Sequence, residues 1–300
     1  MLSVLIPVYN YDIRLLVNSL HEQLISANVV FEIICMDDGS QDDIGTTNSN
    51  VASLSHTTYH VASNNVGRVA VRQRLAEQAS FDWLLFLDAD VVPKSETFIK
   101  DYLVFINAEY DAVYGGFAYK KERPDDHLVL RWTYGKSKEQ VDAAIRNKKP
   151  YKITISANFL IKKILFKQIN SQITYKGYGY DNYFGSLLKT KKVLIVHINN
   201  EVFHLGLEPN ASYLKKVEQS VDTLLALDKE GLINSTENSL IVVYRTLKQW
   251  KLNLLFSWIF KRFKNRFHTN LLGKTPSMFG LQLYKLSYLC YHDVKEKGRN

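Results

Sequence analysis

Short apolar runs alternate with longer amphipathic stretches through the first half of the chain. The runs have strand length and are too continuous for a half-exposed sheet, so they predict buried, largely parallel strands. Stretches with helical apolar spacing follow them, which makes a repeated strand–helix order and predicts a doubly wound α/β sheet. The predicted strands are Ser3–Val8, Phe31–Met36, Thr57–Val61 and Trp83–Leu87, and the predicted helices are 13–24, 66–79 and 95–108.

The second half of the chain has a weaker pattern. A polar stretch rich in Lys and Asp, at 123–150, predicts a variable loop or small insertion. Regular structure is expected to resume at Ile153–Ile161, and Val193–Ile198 is a predicted strand. Ala211–Lys229 is a predicted helix, because its apolar positions share one face.

Polar residues follow directly after each of the four predicted strands. Ligands of open α/β sheets bind outside the carboxyl ends of the strands, so we expect these residues to converge on one edge of the sheet. The four clusters are Pro7-Val8-Tyr9-Asn10, Asp37-Asp38-Gly39-Ser40, Asn64-Asn65-Val66-Gly67-Arg68 and Asp88-Ala89-Asp90.

Asp88 and Asp90 carry the most chemistry of these residues. Two carboxylates at i and i+2 can direct one oxygen at a divalent ion and another at a ribose or a metal-bound water. Mg²⁺ or Mn²⁺ prefers such oxygens and bridges carboxylates to substrate phosphates. The alternative is a solvated turn that caps the following helix. Because the pair ends a buried strand, its charge needs compensation in either case.

The clusters after the second and third predicted strands each have two interpretations. Asp37 or Asp38 can accept the imide N–H of a uracil-like base, or the segment is a turn with a helix N-cap. The start of the helix at Asn65–Gly67, with arginines nearby, can face a pyrophosphate. A surface arginine is the alternative there, and it fits Arg68 better than Arg72.

Composition and cysteine usage narrow the class of protein. The 300 residues, 46% hydrophobic and 23% charged, are typical of a globular protein with one large α/β domain and an appendage, or with two domains. Cys35 and Cys290 have no partner pattern, which favours a reducing compartment. The first residues lack a basic n-region, and no apolar window reaches about 18 residues, so we expect a cytoplasmic protein without an export signal or a membrane span.

The net charge of +8 is concentrated near the end of the chain. Residues 239–292 contain nine Lys or Arg and no Asp or Glu, so the remainder is close to neutral. That distribution argues against a surface that binds nucleic acid. Within it, Trp250–Phe267 combines aromatic, aliphatic and basic residues. The segment is either an amphipathic helix in an anionic membrane interface, with contact through 245–267, or a helix packed on the domain with a solvated basic face.

The clusters at the strand ends, taken together, resemble glycosyltransferase family 2, inverting enzymes of the GT-A fold. The resemblance covers about the first 100 residues in the order and spacing of that family. The family usually has Asn after the pocket arginine, where this chain has Gln73. The matching segments are Val4–Asn10, Asp37–Ser40, Asn65–Gly67 with Val71-Arg72-Gln73, and Phe86–Asp90.

The resemblance implies a role for each matching residue. Asp88 would contact the donor ribose and Arg72 would support the nucleotide pocket, while Asp90 would bind Mn²⁺ or Mg²⁺. His204, in Val202–Gly206, is similar to a histidine that completes the metal shell in the family, although a structural histidine is the alternative. His197 lies in an apolar run and is expected to be packed. The nucleotide-sugar residues implied are Pro7, Tyr9, Asp37, Asp38, Asn65, Gly67, Arg72, Asp88 and Ala89.

A later segment, Gly177–Asn182, resembles the Gly-x-Gly-x-Glu-Asp element of family 2, whose acidic residue is the acceptor-side general base. Tyr180 replaces the usual Glu, so only Asp181 matches. A base is needed because an acceptor hydroxyl is a poor nucleophile until its proton is removed. The alternative is a glycine-rich turn in which Asp181 caps the helix Asn182–Lys189.

These expectations add up to a metal-dependent inverting glycosyltransferase. It would move a sugar from a nucleoside-diphosphate donor, with UDP expected, to a glycan or lipid-linked glycan. We expect a GT-A (Rossmann-like) mixed, mostly parallel sheet flanked by helices over 1–235, with a nucleotide half near 1–110 and an acceptor half near 111–235. A basic helical C-terminal region, 236–300, would follow. A non-catalytic sugar-nucleotide or glycan-binding paralogue and, less favoured, a nucleotidyltransferase are the alternatives; the latter should carry an N-terminal Gly-rich loop that Pro7–Arg14 lacks.

Overall fold

A computed structural model describes residues 1–233 and 238–297 of the protein. The chain forms two compact units. The first contains Met1–Tyr119, Glu139–Lys176 and Leu187–Gly206, and the second contains Lys120–Lys138, Gly177–Ser186 and Leu207–Asn300, within the described ranges. The predicted boundary at 235 lies in 234–237, outside the described residues, and the division at 110 and 235 remains a prediction.

Within the described residues, ten strands, all in the first unit, make two sheets. Strands β1–β4 correspond to the four predicted strands, and β1, β2 and β4 are buried as expected. Strand β3 is mostly exposed, contrary to the prediction, because it is the edge strand of the sheet. The strands are β1 (Leu2–Val8), β2 (Phe31–Asp37), β3 (Thr57–Val61), β4 (Trp83–Leu87), β5 (Val91–Pro93), β6 (Ala112–Tyr114), β7 (Phe117–Ala118), β8 (Asn158–Lys162), β9 (Ile195–His197) and β10 (Val202–His204).

The larger sheet has seven strands in the order β3-β2-β1-β4-β8-β6-β9. Strand β8 is antiparallel to both of its neighbours, and the other neighbouring pairs are parallel. The fold is therefore a mixed, mostly parallel α/β sheet, as expected. The smaller sheet has the order β5-β10-β7, with β10 antiparallel to β5 and parallel to β7.

Helices flank the large sheet and build the second unit. Along the chain, the first residues of helix α8 belong to the second unit and its last residues to the first. Helices α10–α12 confirm the prediction that the C-terminal region is helical. The helices are α1 (Arg14–Ser26), α2 (Asp42–Ser49), α3 (Arg68–Gln78), α4 (Phe98–Leu103), α5 (Val129–Tyr134), α6 (Ala143–Asn147), α7 (Lys163–Asn170), α8 (Asp181–Thr190), α9 (Asn210–Lys229), α10 (Ser239–Gln249), α11 (Asn253–Leu271) and α12 (Met278–Lys297).

The core of the first unit is where the apolar pattern placed it. On α1, the four buried side chains Leu16, Val17, Leu20 and Leu24 share the face that covers the sheet. Burying each such side chain contributes roughly 1.5–3 kcal/mol, which is why the helical spacing is so clear here. Helix α4 is shorter than the predicted 95–108, because the chain turns repeatedly after Leu103.

Of the two predictions for 123–150, a variable loop or a small insertion, the loop is wrong for much of that stretch. It contains α5, a π-helical turn at Gly135–Glu139 and α6. The polar composition concealed this because a charged residue is buried: Arg146 is 1% exposed. Its guanidinium donates to the carbonyl oxygens of Val141 (2.9 Å) and Ile198 (2.7 Å), and hydrogen bonds of this kind offset the desolvation of a cation.

The second unit is a set of packed helices. Helix α9 confirms the predicted helix, and its buried side chains include the predicted apolar face. It pairs with α12 through polar contacts as well: the Tyr288 hydroxyl donates to Asp222 (3.0 Å), and the Tyr284 hydroxyl donates to Glu218. None of the helices within residues 1–233 and 238–297 combines the length and the hydropathy needed to cross a bilayer.

His197 is packed, as its apolar surroundings predicted, and it is 2% exposed. Because Arg146 can only donate, Nδ1 of His197 accepts from it at 2.9 Å, and Nε2–H donates to the carbonyl of Pro150 at 2.9 Å. Burial lowers the pKa of His197 to about 4, and the charge of Arg146 adds to the effect. The unfolded chain, with an ordinary histidine pKa of about 6.5, takes up the proton first as the pH falls.

Stability should therefore decrease as the pH falls from about 6.5 towards 4. We expect His197 alone to lower the free energy of unfolding by about 2 kcal/mol between about pH 7.5 and about pH 5. The substitution His197→Gln, which keeps one acceptor and one donor, should remove that contribution in urea titrations at the two pH values. His60→Gln, at an exposed position, is the control, and an equal pH dependence in both variants would contradict the assignment.

Candidate functional site

The loops after β1 and β2 are joined by hydrogen bonds. Val8 is opposite Asp37 in the register of the two strands, so both strands end at the same level. The Asn10 amide donates to Ser40 Oγ (2.7 Å), and the Gln41 amide donates to Asn10 Oδ1 (3.0 Å). The predicted convergence of these two strand ends is therefore confirmed.

The remaining predicted residues of the first cluster are accessible to different degrees. Pro7 lies within β1 and is half-buried, whereas the Tyr9 side chain beyond the strand is 55% exposed. The Tyr9 ring therefore lies at the edge of the sheet where ligands of open α/β folds bind.

Asp37 is fully buried at the end of β2. Its Oδ1 accepts from the Ser40 amide (2.7 Å), and its Oδ2 accepts from the Tyr59 hydroxyl. Burial, and then the hydrogen bond and charge of Asp37, raise the pKa of Tyr59. The carboxylate therefore holds the turn that follows the strand, and the turn interpretation of this cluster is part of its structure.

Asp38 connects the end of β2 to the start of α3. Its two carboxylate oxygens accept from the amides of Val66 (2.6 Å) and Gly67 (2.8 Å). Charge-assisted bonds of this kind are stronger than neutral ones, so the loop after β3 is fixed in place. Asp38 thus orients the helix start that the sequence predicted to face a pyrophosphate.

Gly67 is the residue that precedes α3, and it has a φ of +89°. Only glycine adopts this conformation without strain, and a Cβ here would lie 2.9 Å from Cγ of Lys176. The Lys176 ammonium donates to the carbonyl oxygen of Asn65 (2.7 Å). A cation therefore lies beside this helix start, and it is one that the sequence analysis missed.

Asp88 is held by two arginines. Arg72, which is 5% exposed, donates through Nη2 to Asp88 Oδ1 and to the carbonyl oxygen of Ser156 (3.0 Å). Arg68 Nη2 lies 3.6 Å from Asp88 Oδ2 and donates to Ser156 Oγ (3.0 Å). The charge compensation expected at this strand end is therefore supplied by the protein.

The surface alternative holds for neither of these arginines. It was preferred for Arg68, but that side chain is 31% exposed and contacts the same carboxylate as Arg72. The two lie one turn apart on α3, at i and i+4, which puts them on one face of the helix. That spacing was the signal in the sequence that could have identified Arg68.

Asp90 and His204 meet across the small sheet. Because Val91 is opposite His204 and the Leu205 amide donates to the Asp90 carbonyl (2.8 Å), the two side chains are brought to one place. His204 Nε2 lies 3.4 Å from Asp90 Oδ2. Ala89, between the two aspartates, is 9% exposed and belongs to the core, so only its backbone is available to a ligand.

An aromatic shelf supports the histidine. The His204 ring stacks on Tyr119, with centroids 5.6 Å apart and planes at 28°, and meets the edge of Phe117 at 5.8 Å. The Tyr119 hydroxyl donates to Glu139, in the π-helical turn. Packing of this kind restricts the orientation of the imidazole ring.

The donor set of Asp90 and His204 fits a divalent ion. One carboxylate oxygen and one imidazole nitrogen 3.4 Å apart can bind the same ion. Residues 1–233 and 238–297 contain no cluster of three or more His, Cys, Asp or Glu side chains, so further ligands would be substrate phosphates and water, as is usual for Mg²⁺. The negative charge of Asp90 extends over this site, since it contributes, after burial, to raising the pKa of Tyr11.

Gly206 makes room for the Asp90 carboxylate. A Cβ at this position would lie 2.7 Å from Asp90 Cγ, closer than real contacts allow. We expect Gly206→Ala to displace that carboxylate and to lower the sugar transfer that the family resemblance implies at least about tenfold, since small errors in position are costly in catalysis. Steady-state assays at saturating Mn²⁺ test this.

The control for Gly206→Ala is Gly45→Ala. Gly45 also lies near a carboxylate, but a Cβ there would be 3.8 Å from Asp37 Oδ2, an ordinary contact. Unaltered activity of Gly206→Ala together with an unaltered melting temperature would show that Asp90 does not need this space.

Asp181 lies in the second unit, in the first turn of α8. Two residues before it is Gly179, which has a φ of +98°. A Cβ added at Gly179 would lie 2.8 Å from Ser220 Oγ. The neighbouring Asn182 side chain donates to the Gly179 carbonyl (3.2 Å) and accepts from Asn238 (2.7 Å). The glycine-rich turn is therefore well defined, and the role of Asp181 as a base remains a prediction.

Comparison with known proteins agrees with this fold. A comparison with curated protein sequences finds no significant match. Among solved structures, the mannosyltransferase PcManGT from Pyrobaculum calidifontis, in complex with GDP-Man and Mn²⁺, aligns with a TM-score of 0.55, 12% identity and coverage of 99% of this chain and 86% of that one. Residues 1–349 of S. aureus TarS, in complex with UDP-GlcNAc, align with a TM-score of 0.52, 16% identity and coverage of 99% of this chain and 92% of that one.

A longer TarS structure from S. aureus aligns with a TM-score of 0.50 and 18% identity. That alignment covers 75% of this chain and 39% of the TarS chain, so this chain matches less than half of TarS. At these identities the similarity shows the fold alone, which is the GT-A fold of glycosyltransferases.

The family model described as Glycosyl transferase family 2 matches residues 3–169, more than half of the chain. That span includes the four strand-end clusters and the Arg72–Asp88 pair. The chain is thus a glycosyltransferase, and it belongs to glycosyl transferase family 2.

Proposed function

We propose that this glycosyltransferase moves a sugar from a nucleoside-diphosphate donor, with UDP as the nucleotide, to a glycan or lipid-linked glycan. The reaction is metal-dependent, inverts the anomeric centre and serves the synthesis of polysaccharide or cell-surface glycan. The observation that carries the proposal is the pairing of Asp90 with His204 next to the arginine-held Asp88, at the carboxyl ends of buried strands.

The related structures support a nucleotide-sugar donor and a divalent ion. TarS 1–349 binds UDP-GlcNAc, and PcManGT binds GDP-Man and Mn²⁺. Because these two differ in the base, our choice of UDP rests on the acidic residues at the end of β2. Asp37 is fully buried, so the imide N–H would reach Asp38, which is 5% exposed and whose carboxylate has about four lone-pair sites.

In the proposed donor complex, Pro7 and Tyr9 contact the nucleoside, and the pyrophosphate lies beside Asn65–Gly67. The Val66 and Gly67 amides are occupied by Asp38, so the Lys176 ammonium at this helix start supplies the positive charge. The Asp88 carboxylate, which Arg72 immobilises, accepts hydrogen bonds from the ribose hydroxyl groups. The backbone carbonyl of Ala89 accepts from them as well. A carboxylate already locked by two arginines loses little freedom when it binds a ligand.

The chemistry that we propose follows from charge. A bound Mn²⁺ or Mg²⁺ would stabilise the negative charge that develops on the departing diphosphate, with Asp90 and His204 as its protein ligands. Asp181 accepts the proton of the acceptor hydroxyl at its carboxylate while that oxygen attacks the anomeric carbon. A single displacement of this kind needs no enzyme nucleophile and gives inversion.

A donor panel tests the function. Purified protein is incubated with UDP-sugars and GDP-sugars, with Mn²⁺, Mg²⁺ or EDTA, and with glycan or lipid-linked acceptors, and release of nucleoside diphosphate is followed. We expect release with UDP-sugars, dependence on the ion, and stimulation by an acceptor. Equal release in EDTA would refute the metal, and preference for GDP-sugars would refute the nucleotide.

We place this activity in the cytoplasm, on the cytoplasmic face of the membrane. The buried, unpaired cysteines Cys35 and Cys290 fit a reducing compartment. A lipid-linked acceptor would be reached there. Fractionation of cells that produce the protein tests the location, and recovery outside the cytoplasm and its membrane would contradict it.

A further inference from the structure

Five large apolar side chains are exposed within nine consecutive residues where α10 meets α11. Two of them are tryptophans, and exposed clusters of this kind mark interaction sites in soluble proteins. Lys251, with a φ of +59°, makes the corner between the helices. The exposed fractions are 71% for Trp250, 46% for Leu252, 57% for Leu254, 51% for Leu255 and 55% for Trp258, and these five residues are called the corner surface.

Leu254, Leu255 and Trp258 of the corner surface lie on α11, and another face of this helix packs on α12. Phe260 of α11 is 3% exposed and packs on Tyr284, Tyr288 and Tyr291 of α12, with ring centroids 5.6, 5.4 and 5.0 Å away. The two interpretations of Trp250–Phe267 are therefore combined: one face packs within the second unit, and the other presents apolar side chains to solvent.

The cations of α11 differ from those of the neighbouring helices. On α10, Arg245 pairs with Asp228 (2.6 Å) and Lys248 with Asp293 (3.2 Å). On α11, Lys261 and Arg262 are exposed, and neither has a carboxylate partner within residues 1–233 and 238–297. Positive charge on this helix is therefore available to an external anion.

These cations lie next to the apolar residues in space. Lys261 and Arg262 follow Trp258 at i+3 and i+4, so they continue the same side of the helix. Helices that lie in the interface of an anionic membrane have this pattern, in which exposed tryptophan and leucine are followed by lysine and arginine. Tryptophan in particular is enriched at membrane–water interfaces, where one end of its ring is apolar and the other is wet.

We propose that the corner surface docks on an anionic lipid bilayer, with Trp250, Leu254 and Trp258 entering the interface and Lys261 and Arg262 binding headgroups. The charge favours lipid over a protein partner, because residues 239–292 contain no acidic residue and the exposed Lys261 and Arg262 lie beside the corner surface, whereas Arg245 and Lys248 are paired with carboxylates from outside that span. The proposal depends on neither the donor nor the acceptor of the reaction, so it can fail or hold independently of the proposed function.

Vesicle co-sedimentation of the full chain tests the proposal. We expect binding to vesicles of phosphatidylcholine with phosphatidylglycerol, weak binding to phosphatidylcholine alone, and weaker binding at high salt, where exposed charges are screened. Lys261→Gln combined with Arg262→Gln should weaken binding about 30-fold, from the usual attraction per cation. Leu254→Ser combined with Trp258→Ser should weaken it about tenfold or more.

Matched variants separate this surface from general properties of the chain. Leu15→Ser removes an apolar side chain that is 65% exposed on α1, and Lys148→Gln with Lys149→Gln removes two exposed cations elsewhere. Both should bind vesicles as tightly as the unsubstituted chain does. Circular dichroism of every variant checks that it is folded. Equal vesicle binding by the corner-surface variants and the control variants would overturn the proposal. So would a dimer that forms with rising protein concentration, if Leu254→Ser with Trp258→Ser abolished the dimer and left vesicle binding unchanged.

Discussion

Substituting Asp181 by Asn is expected to lower the rate of sugar transfer by about 10²- to 10⁴-fold, the range that a general base contributes. An amide cannot accept the proton of the acceptor hydroxyl at neutral pH, but it occupies the same volume. Binding of the nucleotide sugar should therefore change little. Initial rates at saturating donor and acceptor, together with calorimetric titration of the donor, measure the two quantities separately.

Asp101→Asn is the matched control for Asp181→Asn. Asp101 is an exposed aspartate in the first turn of α4, as Asp181 is in the first turn of α8. We expect the control to transfer sugar at the unsubstituted rate. Turnover by Asp181→Asn within about threefold of that rate would be too small a loss for a general base and would remove Asp181 from that role.

Asp90→Asn should have an effect of similar size by a different route. An amide oxygen is a weaker ligand than a carboxylate, and lost stabilisation of developing charge costs about 10²- to 10³-fold in turnover, or roughly 3–4 kcal/mol. Unlike Asp181→Asn, this variant should also bind the nucleoside diphosphate more weakly in the presence of Mn²⁺. Its affinity in EDTA should equal that of the unsubstituted chain.

The comparison between the two affinities decides the role of Asp90. If Asp90→Asn lost activity but kept the full benefit of Mn²⁺ on nucleotide binding, the ion would be bound elsewhere. His204→Gln should show the same pattern as Asp90→Asn with a smaller loss, because it removes the other ligand of the pair.

The sequence predicted the parts of the fold that depend on continuous burial. Strands β1, β2 and β4 were found because their continuous apolar runs are buried on both faces, and helices α1 and α9 because their apolar spacing reflects one buried face. The direction of β8 was not predicted, because an antiparallel strand buried on both faces has the same composition as a parallel one.

Polar residues with a buried role were the main source of error. Arg146 made 123–150 look like a loop, although its guanidinium donates to carbonyl oxygens inside the first unit. The surface alternative was judged to fit Arg68 better than Arg72, but Arg68 faces Asp88 with Arg72. Burial of a charge depends on partners that are distant along the chain, and these cannot be read from local composition.

The candidate site was predicted where the chemistry is local to a strand end. Asp90 and His204, more than 100 residues apart, were matched only through the family resemblance, and the pairing of β5 with β10 is what brings them together. Lys176 and the Tyr119 shelf had no local signal. Their importance follows from the contacts with Asn65 and His204.

The central claim is that Asp90 and His204 bind a divalent ion against a nucleoside diphosphate. Crystals soaked with UDP and Mn²⁺, with diffraction data collected near the manganese absorption edge, test it most directly. We predict an anomalous peak in contact with the Asp90 carboxylate, His204 Nε2 and oxygens of the diphosphate. Bound UDP without a peak at this position, and with Asp90 turned away from the phosphates, would contradict the account.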